Sequence, residues 1–110
     1  MTRGTLITIP FSDRFSGRLL DGTKTMTARN TRYGNPGDSF YAFGARFVLT
    51  KVERAELGVA KANWKDEGCD SPEHFVQVWK ELHPRRPFDP THRVWLHHFE
   101  RAPVQPGRSG

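Results

Sequence analysis

Glycine and proline residues divide this chain into short segments, and this division limits the fold more than any other feature of the sequence. Ten glycines and eight prolines are spread over 110 residues. Both residue types interrupt regular helices and strands, so the elements between them must be short. The sequence therefore predicts a small α+β domain of short strands with two or three inserted helices, over residues 1–102, with a flexible tail at 103–110.

Residue patterns between these interruptions place the individual elements. Alternating apolar residues predict strands, whereas apolar residues spaced three or four apart predict helices. A serine followed by proline and glutamate, as at Ser71, is typical of a helix start. The predicted order is a strand at 5–9, a helix at 12–20, a strand at 24–29, a loop at 30–37, hairpin strands at 38–43 and 46–52, helices at 59–65 and from Ser71 to Pro84, and a strand at 93–99.

Composition excludes several classes of protein. With 35% hydrophobic residues the chain is too apolar for a disordered protein, and no apolar run approaches the ~18 residues of a membrane-spanning helix. The N-terminal residues lack the long apolar stretch of a secretory signal. A single cysteine, Cys69, excludes an internal disulfide and a cysteine-based zinc site. We expect a cytoplasmic monomer with no cofactor, no metal and no membrane partner.

The positive charge of the chain lies in its first half. Residues 1–51 contain eight basic and three acidic residues, whereas residues 52–110 contain nine of each. A positive field on one part of a small protein favours an anionic partner. The charge therefore favours RNA or a nucleotide as the partner, although small basic proteins can also be basic only for solubility.

The most informative segment is Gly22-Thr23-Lys24-Thr25-Met26-Thr27-Ala28-Arg29. It places a lysine, a threonine and an arginine on or beside one short strand. Lys24 and Thr27 are three residues apart, so a regular strand would turn them to opposite faces. The two can act together only if Lys24 precedes the regular strand or lies at a bulge. Arg29 shares the face of Thr27.

Further features follow this segment in a fixed order. Gly37-Asp38 precedes a strand, and Glu67-Gly68 precedes the helix that Ser71 caps. Together with the Gly-x-Lys-x-x-Thr-x-Arg segment, this ordered set resembles the ASCH domain of the PUA-like superfamily over roughly residues 7–101. The resemblance implies a small, partly closed β-barrel with two to three helices that binds RNA or a nucleotide.

Some small bacterial ASCH proteins are amidohydrolases that remove the acetyl group from N(4)-acetylcytidine. The resemblance to them assigns the catalytic roles to Lys24, Thr27 and Glu67. The chemistry is coherent, since amide hydrolysis needs a nucleophile, a base and an acid for the leaving amine. Thr27 could supply the hydroxyl, and Glu67 could either protonate the leaving nitrogen or direct a water molecule to the acyl-enzyme. Lys24 could be the base if burial and the nearby Arg29 lower its pKa.

Other residues are candidates for holding the ligand. An aromatic residue beside a basic one can stack on a nucleotide and neutralise it, as Tyr33 and Arg32 could. The predicted binding residues are Arg29, Arg32, Tyr33, Thr25 and Trp64. Each candidate also has a structural interpretation, such as a surface lysine, a strand threonine or a solvated loop glutamate.

Two further functions stay open at this stage. The first is a non-catalytic RNA-binding module, which the basic first half and the interspersed aromatic residues Tyr33, Phe40, Tyr41 and Phe43 favour. The second is a metal-independent ribonuclease that uses Lys24 with Tyr41 or a nearby histidine. An amidohydrolase should accept a free nucleoside, whereas the other two should need a polymer.

Overall fold

The computed structural model describes residues 4–103. Its elements, in chain order, are a 3-10 turn (Asp13–Phe15), α1 (Ser16–Leu20), β1 (Met26–Arg29), β2 (Ser39–Ala42), β3 (Ala45–Glu56), α2 (Leu57–Ala62), α3 (Pro72–Leu82) and β4 (Arg93–Arg101). The tail predicted at 103–110 lies outside the described residues except for Pro103.

The four strands form one antiparallel sheet in the order β1-β4-β3-β2. β4 pairs with β3 along nearly its whole length and with β1 on its other side. The sheet curls into a half-barrel, and three α-helices complete the domain. This architecture confirms the predicted fold class, a small α+β domain with a partly closed barrel.

The predicted hairpin is present, and its turn explains why glycine is needed. Phe43 and Gly44 connect β2 to β3, with φ angles of 52° and 82°. Two successive positive φ values suit the twist of a two-residue hairpin turn, and glycine adopts them without strain. β3 then continues to Glu56, beyond the predicted end at residue 52, because β4 provides a partner up to the pair Glu56–Arg93.

The strand predicted at residues 5–9 is wrong. This segment forms only an isolated parallel bridge between Leu6 and Ser39. Ser39 N–H donates to the Thr5 carbonyl at 2.9 Å, and Ile7 N–H donates to the Ser39 carbonyl at 2.7 Å. The alternation in the sequence does reflect burial, since Ile9 is buried and Leu6 exposed. A strand also needs a long neighbouring edge, however, and β2 offers this segment only its first residue.

Two predicted helices differ in their bounds. The helix expected from Ser12 to Leu20 begins as a 3-10 turn, and the Ser12 side chain accepts no capping hydrogen bond. The helix expected at 59–65 is α2, which begins and ends earlier in the chain. α3 begins as predicted, because Pro72 occupies its first turn and the Ser71 hydroxyl accepts a hydrogen bond from His74 N–H at 3.0 Å.

Aromatic side chains fill the core between the sheet and the N-terminal segment. Phe40 stacks on Phe47 and meets the edge of Phe99, with ring centroids 5.4 Å apart in both contacts. Phe11 stacks on Phe40 from the other side at 5.8 Å. These contacts fix the segment before α1 against the sheet. None of the helices within residues 4–103 is long and apolar enough to cross a membrane.

Candidate functional site

A cavity of about 550 Å³ lies between β1, α3 and the segment that precedes α1. This volume is within the ordinary range for sites that bind small molecules. Aromatic and aliphatic side chains form much of its wall, and polar side chains converge on it from β1 and the loop before α3. The polar lining includes Lys24, Thr27, Arg29, Asn30, Tyr33, Glu67 and His83, and the apolar lining includes Phe11, Phe15, Phe75, Val78 and Trp79.

Lys24 reaches this cavity because it lies outside the regular strand. β1 begins at Met26, so the alternation that would separate Lys24 from Thr27 has not yet started. The lysine stem packs on Gly68, which has a φ of +83°. A Cβ atom at Gly68 would lie only 3.0 to 3.2 Å from the Cβ, Cγ and Cδ atoms of Lys24. Glycine at this position therefore allows both the turn and the close approach of the lysine.

The Lys24 ammonium is buried among oxygen acceptors and aromatic rings. Its Nζ donates to the Met26 carbonyl at 2.8 Å and to the Glu67 carbonyl at 2.6 Å. The same Nζ lies 3.6 Å from Glu67 Oε1 and 4.6 Å from the centre of the Phe15 ring. The side chains of Lys24 and Glu67 are only 2% and 5% exposed. This is a buried lysine–glutamate pair at the cavity wall.

Burial shifts both members of the pair toward their uncharged forms. Desolvation lowers the pKa of Lys24, opposed by the charge of Glu67, while Arg29 adds to the lowering. Desolvation also raises the pKa of Glu67 to about 7, opposed by Lys24 and by the Ala28 backbone N–H. Glu67 Oε2 is buried and has no hydrogen-bond partner among the described residues. A ligand that carries a donor or a proton acceptor could therefore pair with this carboxyl group.

Backbone contacts hold the Glu67 loop against β1, 43 residues away from Lys24 along the chain. The Asp66 carbonyl accepts hydrogen bonds from Thr25 N–H at 2.8 Å and from Met26 N–H at 3.1 Å. Arg18 of α1 donates to the Gly68 carbonyl at 2.8 Å and forms an ion pair with Asp70. The position of Glu67 beside Lys24 is thus set from two sides.

Thr27 and Arg29 form the second polar group of the cavity. Thr27 is buried, and its Oγ1 accepts a hydrogen bond from Arg29 Nε at 3.1 Å. The Arg29 guanidinium also donates to the Pro10 carbonyl and lies 4.9 Å from the Phe11 ring centre and 5.5 Å from the Tyr33 ring centre. Within residues 4–103, Lys24 makes no hydrogen bond to Thr27. Arg29 is the group that polarises the threonine hydroxyl in this structure.

His97 contacts the backbone of this part of the site, and it was not among the predicted site residues. The fully buried ring accepts a hydrogen bond from Tyr33 N–H at Nε2, 3.0 Å away, and its Nδ1–H donates to the Thr27 carbonyl at 3.4 Å. Burial lowers the pKa of His97 and so favours this neutral form. Thr27 pairs with His97 across β1 and β4, and this pairing would have identified His97 as a neighbour of the site. It can be known only from the strand register, which the sequence does not give.

The structure does not bring every predicted residue to the cavity. Arg29 and Tyr33 line it, but Thr25, Arg32 and Trp64 do not. Thr25 contributes through its backbone, whereas Arg32 binds the Gly34 carbonyl at 3.1 Å and points toward another aromatic ring. Trp64 packs against the core. Among the residues proposed for the other functions, Phe40 is in the core, and Tyr41 lies on β2, outside the cavity lining.

Most of the lining residues were not predicted as parts of a site, and three of these are in contact with one another or with a polar neighbour. Trp79, predicted as core, is buried but also forms cavity wall. The His83 ring stacks on it with centroids 4.0 Å apart. Asn30 directly follows β1, and its Nδ2 atom lies 3.4 Å from Nε2 of His83. Within residues 4–103, no group of three or more His, Cys, Asp or Glu side chains is arranged to hold a metal ion.

Comparisons with known proteins define the class of fold. The sequence matches no protein-family model and no curated protein. Three solved structures share the architecture. An ASCH domain from Lactobacillus crispatus JV-V101 superposes with a TM-score of 0.62 at 13% identity, over 91% of this chain and 80% of that one.

The other two neighbours extend over similar lengths. Protein EF3133 from Enterococcus faecalis V583, described as DUF984, has a TM-score of 0.65 at 19% identity, over 100% of this chain and 87% of its own. Hypothetical protein PH0355 has a TM-score of 0.62 at 14% identity, over 92% of this chain and 100% of its own. The chain therefore has the fold of an ASCH domain, which confirms the resemblance at the level of fold.

Proposed function

We propose that this protein is an amidohydrolase that acts on an N-acylated cytosine, with N(4)-acetylcytidine as the first substrate to test. The observation that carries the proposal is the buried Lys24–Glu67 pair beside Thr27 in the wall of a cavity of about 550 Å³. The residue types are those that the ASCH resemblance assigns to this chemistry. The structure adds that all three line the same cavity.

The two pKa shifts support a division of roles between Lys24 and Glu67. An uncharged amine can accept a proton, and a protonated carboxyl group can donate one. Burial favours the uncharged amine of Lys24 and the protonated carboxyl of Glu67, whose pKa is raised to about 7. The pair therefore supplies a base and an acid at the same place near neutral pH.

In the proposed reaction, the Thr27 oxygen attacks the acetyl carbonyl carbon and its proton passes to the Lys24 amine. The bond between that carbon and the cytosine N4 then breaks, and N4 takes a proton from Glu67. In the second half of the reaction, the Glu67 carboxylate takes a proton from water as the water oxygen attacks the acetyl-threonine. The Thr27 oxygen regains its proton from the Lys24 ammonium, and acetic acid is released. Lys24 makes no hydrogen bond to Thr27 without ligand, and catalytic hydrogen bonds commonly tighten only in the substrate complex.

The cavity walls suit a planar heterocycle. Phe11, Phe15, Phe75 and Trp79 present aromatic surface to the cavity. A nucleobase stacks on such rings whatever its identity. The unpartnered Glu67 Oε2 and the Arg29–Thr27 pair supply polar contacts that can fix its orientation.

The direct test is a chromatographic assay of the purified protein with N(4)-acetylcytidine. We expect the wild-type protein to release cytidine and the Lys24→Ala variant to lose the activity. Lys51→Ala removes an exposed lysine from β3 and serves as the matched control, which should keep the wild-type rate. Undiminished deacetylation by Lys24→Ala would overturn the proposal, as would the absence of conversion by the wild type at high enzyme concentration.

A second candidate is a non-catalytic RNA-binding module, and one surface feature favours it. The guanidinium groups of Arg32 and Arg54 lie 5.0 and 5.1 Å from the Trp95 ring centre. Such cationic and aromatic groups together can contact phosphates and stack on bases. This candidate predicts binding of short RNAs that weakens steeply with salt and that is lost in an Arg32→Gln/Arg54→Gln double variant.

A further inference from the structure

A smaller cavity of about 210 Å³ adjoins the first one. Asn30 and Trp79 line both cavities, so the two share a wall. Leu57 and Pro87 add apolar surface to the smaller cavity, and Arg86, Asp89 and His92 add polar groups. It is smaller than the ~300 Å³ at which independent ligand pockets begin. Its position and size indicate an extension of the larger cavity rather than a separate site.

Side-chain hydrogen bonds form the boundary between the two cavities. His92 Nε2–H donates to Asn30 Oδ1 at 2.7 Å, and Asn30 Nδ2–H lies 3.4 Å from His83 Nε2. The other nitrogen of His83, Nδ1–H, donates to the Trp79 carbonyl at 3.0 Å. This chain of contacts crosses exposed surface, so a ligand can replace some of its hydrogen bonds without burying an unpaired group.

The charged side chains of the smaller cavity differ in the partners that the protein provides for them. Within residues 4–103, no carboxylate forms a salt bridge with Arg86, whereas Asp89 Oδ1 accepts hydrogen bonds from Thr91 N–H at 2.9 Å and from the Thr91 hydroxyl at 2.7 Å. Those hydrogen bonds lower the pKa of Asp89 and keep it ionised. The guanidinium of Arg86 is thus available to an anionic ligand group.

We propose that the smaller cavity binds the phosphate of a ligand whose base occupies the larger cavity. The protein would then act on a nucleotide, or on a nucleotide within an RNA chain, in preference to a free nucleoside. This inference rests on the proposed function for the identity of the base. It is carried by the shared wall, by the size of the smaller cavity and by the guanidinium of Arg86, which has no salt-bridge partner among residues 4–103 and can bind two phosphate oxygens at once.

Binding of the reaction products tests this proposal separately from catalysis. Cytidine, cytidine 5′-monophosphate and cytidine 3′-monophosphate would be titrated into the wild-type protein at low salt, with affinity measured by calorimetry. We expect at least one monophosphate to bind about tenfold more tightly than cytidine. The isomer preferred would show in which direction an RNA chain continues, and equal preference for both would indicate a mononucleotide site.

Three variants test whether tighter binding of the monophosphates depends on the smaller cavity. Arg86→Gln should remove the preference for phosphate and leave the affinity for cytidine unchanged, whereas the matched control Arg85→Gln should leave both unchanged. Asp89→Asn keeps the acceptor for Thr91 but removes a negative charge, so it should tighten monophosphate binding.

Equal affinity for cytidine and both monophosphates would overturn the proposal, as would a phosphate preference that survives Arg86→Gln. Failure to bind any of the three ligands would also overturn it. A phosphate preference that depends on Arg86, in a protein that deacetylates neither N(4)-acetylcytidine nor its 5′- and 3′-monophosphates, would instead refute only the proposed function.

Discussion

Two lysine–glutamate pairs in this protein have nearly the same geometry and very different surroundings. Lys24 Nζ lies 3.6 Å from Glu67 Oε1, and Lys51 Nζ lies 3.5 Å from Glu53 Oε1. The first pair is 2% and 5% exposed, whereas the second is 64% and 36% exposed. Separation alone therefore does not distinguish a chemical site from an ordinary surface contact.

The two glutamates have opposite pKa shifts with different causes. Desolvation raises the pKa of Glu67 to about 7, even with a lysine beside it. The hydrogen bond from His98, with a smaller contribution from Lys51, lowers the pKa of Glu53. Water screens the exposed pair and stabilises its charges, whereas burial favours the uncharged forms of both members of the Lys24–Glu67 pair. This difference in surroundings is the reason for assigning the proposed chemistry to the buried pair.

The largest expected difference between the pairs is in activity. Glu67→Gln keeps the shape of the side chain but cannot donate a proton to the leaving nitrogen, so we expect deacetylation to fall about 10³-fold. Glu53→Gln makes the same change at the exposed pair and should leave the rate unchanged. The chromatographic assay measures both, and equal rates for the two variants would contradict the account.

The next effect concerns stability as a function of pH. Because the folded-state pKa of Glu67 is raised to about 7 from 4.5, the folded protein holds a proton that the unfolded chain releases between these values. The contribution of Glu67 to stability is therefore fully present below pH 4.5 and is lost as the pH rises through about 7. The shift corresponds to about 3 kcal/mol in the free energy of unfolding.

Denaturant unfolding of the wild type and Glu67→Gln between pH 4 and 8 measures this effect. The difference between the two curves reports Glu67 together with Lys24, whose pKa depends on the charge of Glu67, because the lowered pKa of His97 changes both curves in the same way. For Glu53→Gln the same measurement is extended to lower pH, where the sign should be opposite, since a carboxyl pKa lowered from 4.5 gives stability that is lost only as the pH falls below 4.5. A difference curve for Glu67 that is flat from pH 4.5 to 7 would contradict the assigned shift.

The smallest effect is the coupling energy within each pair. Double-mutant cycles with Lys24→Met and Glu67→Leu should give about 2 kcal/mol, because removal of one partner leaves a buried polar group unpaired. The corresponding cycle with Lys51→Met and Glu53→Leu should give less than about 0.5 kcal/mol, since the exposed pair is solvated. Equal coupling energies at neutral pH would remove the basis of the comparison.

The sequence predicts the buried pair better than it predicts the rest of the cavity. Lys24, Thr27 and Glu67 occupy ordered positions in a recognisable pattern, and the requirement that Lys24 precede the strand holds. The contact across 43 residues depends on Asp66 and Gly68, which hold the loop and admit the lysine stem. Those contacts are visible only once the chain is folded.

The predicted residues that lie outside the cavity, and the lining residues that were not predicted, have a common explanation: their positions depend on the folded chain. Thr25 and Arg32 are near the site in sequence, but they lie outside β1, on either side of it, and their side chains do not line the cavity. Trp79 fits a helical core pattern and still borders the cavity, because a helix face can do both. The position of His97 beside Thr27 depends on the register between β1 and β4. Alternating apolar residues predict strands, but they do not predict which buried polar residue faces which neighbour across the sheet.

The most direct test of this account is the pKa of Glu67 itself, followed by NMR of carboxyl carbons in protein labelled at glutamate. The assigned Glu67 signal should titrate near pH 7, and the Glu53 signal should titrate below the ordinary glutamate value of 4.5 in the same sample. A Glu67 signal that titrates at or below 4.5 would show that the buried pair is a simple ion pair. The proposed acid in the cavity would then be absent.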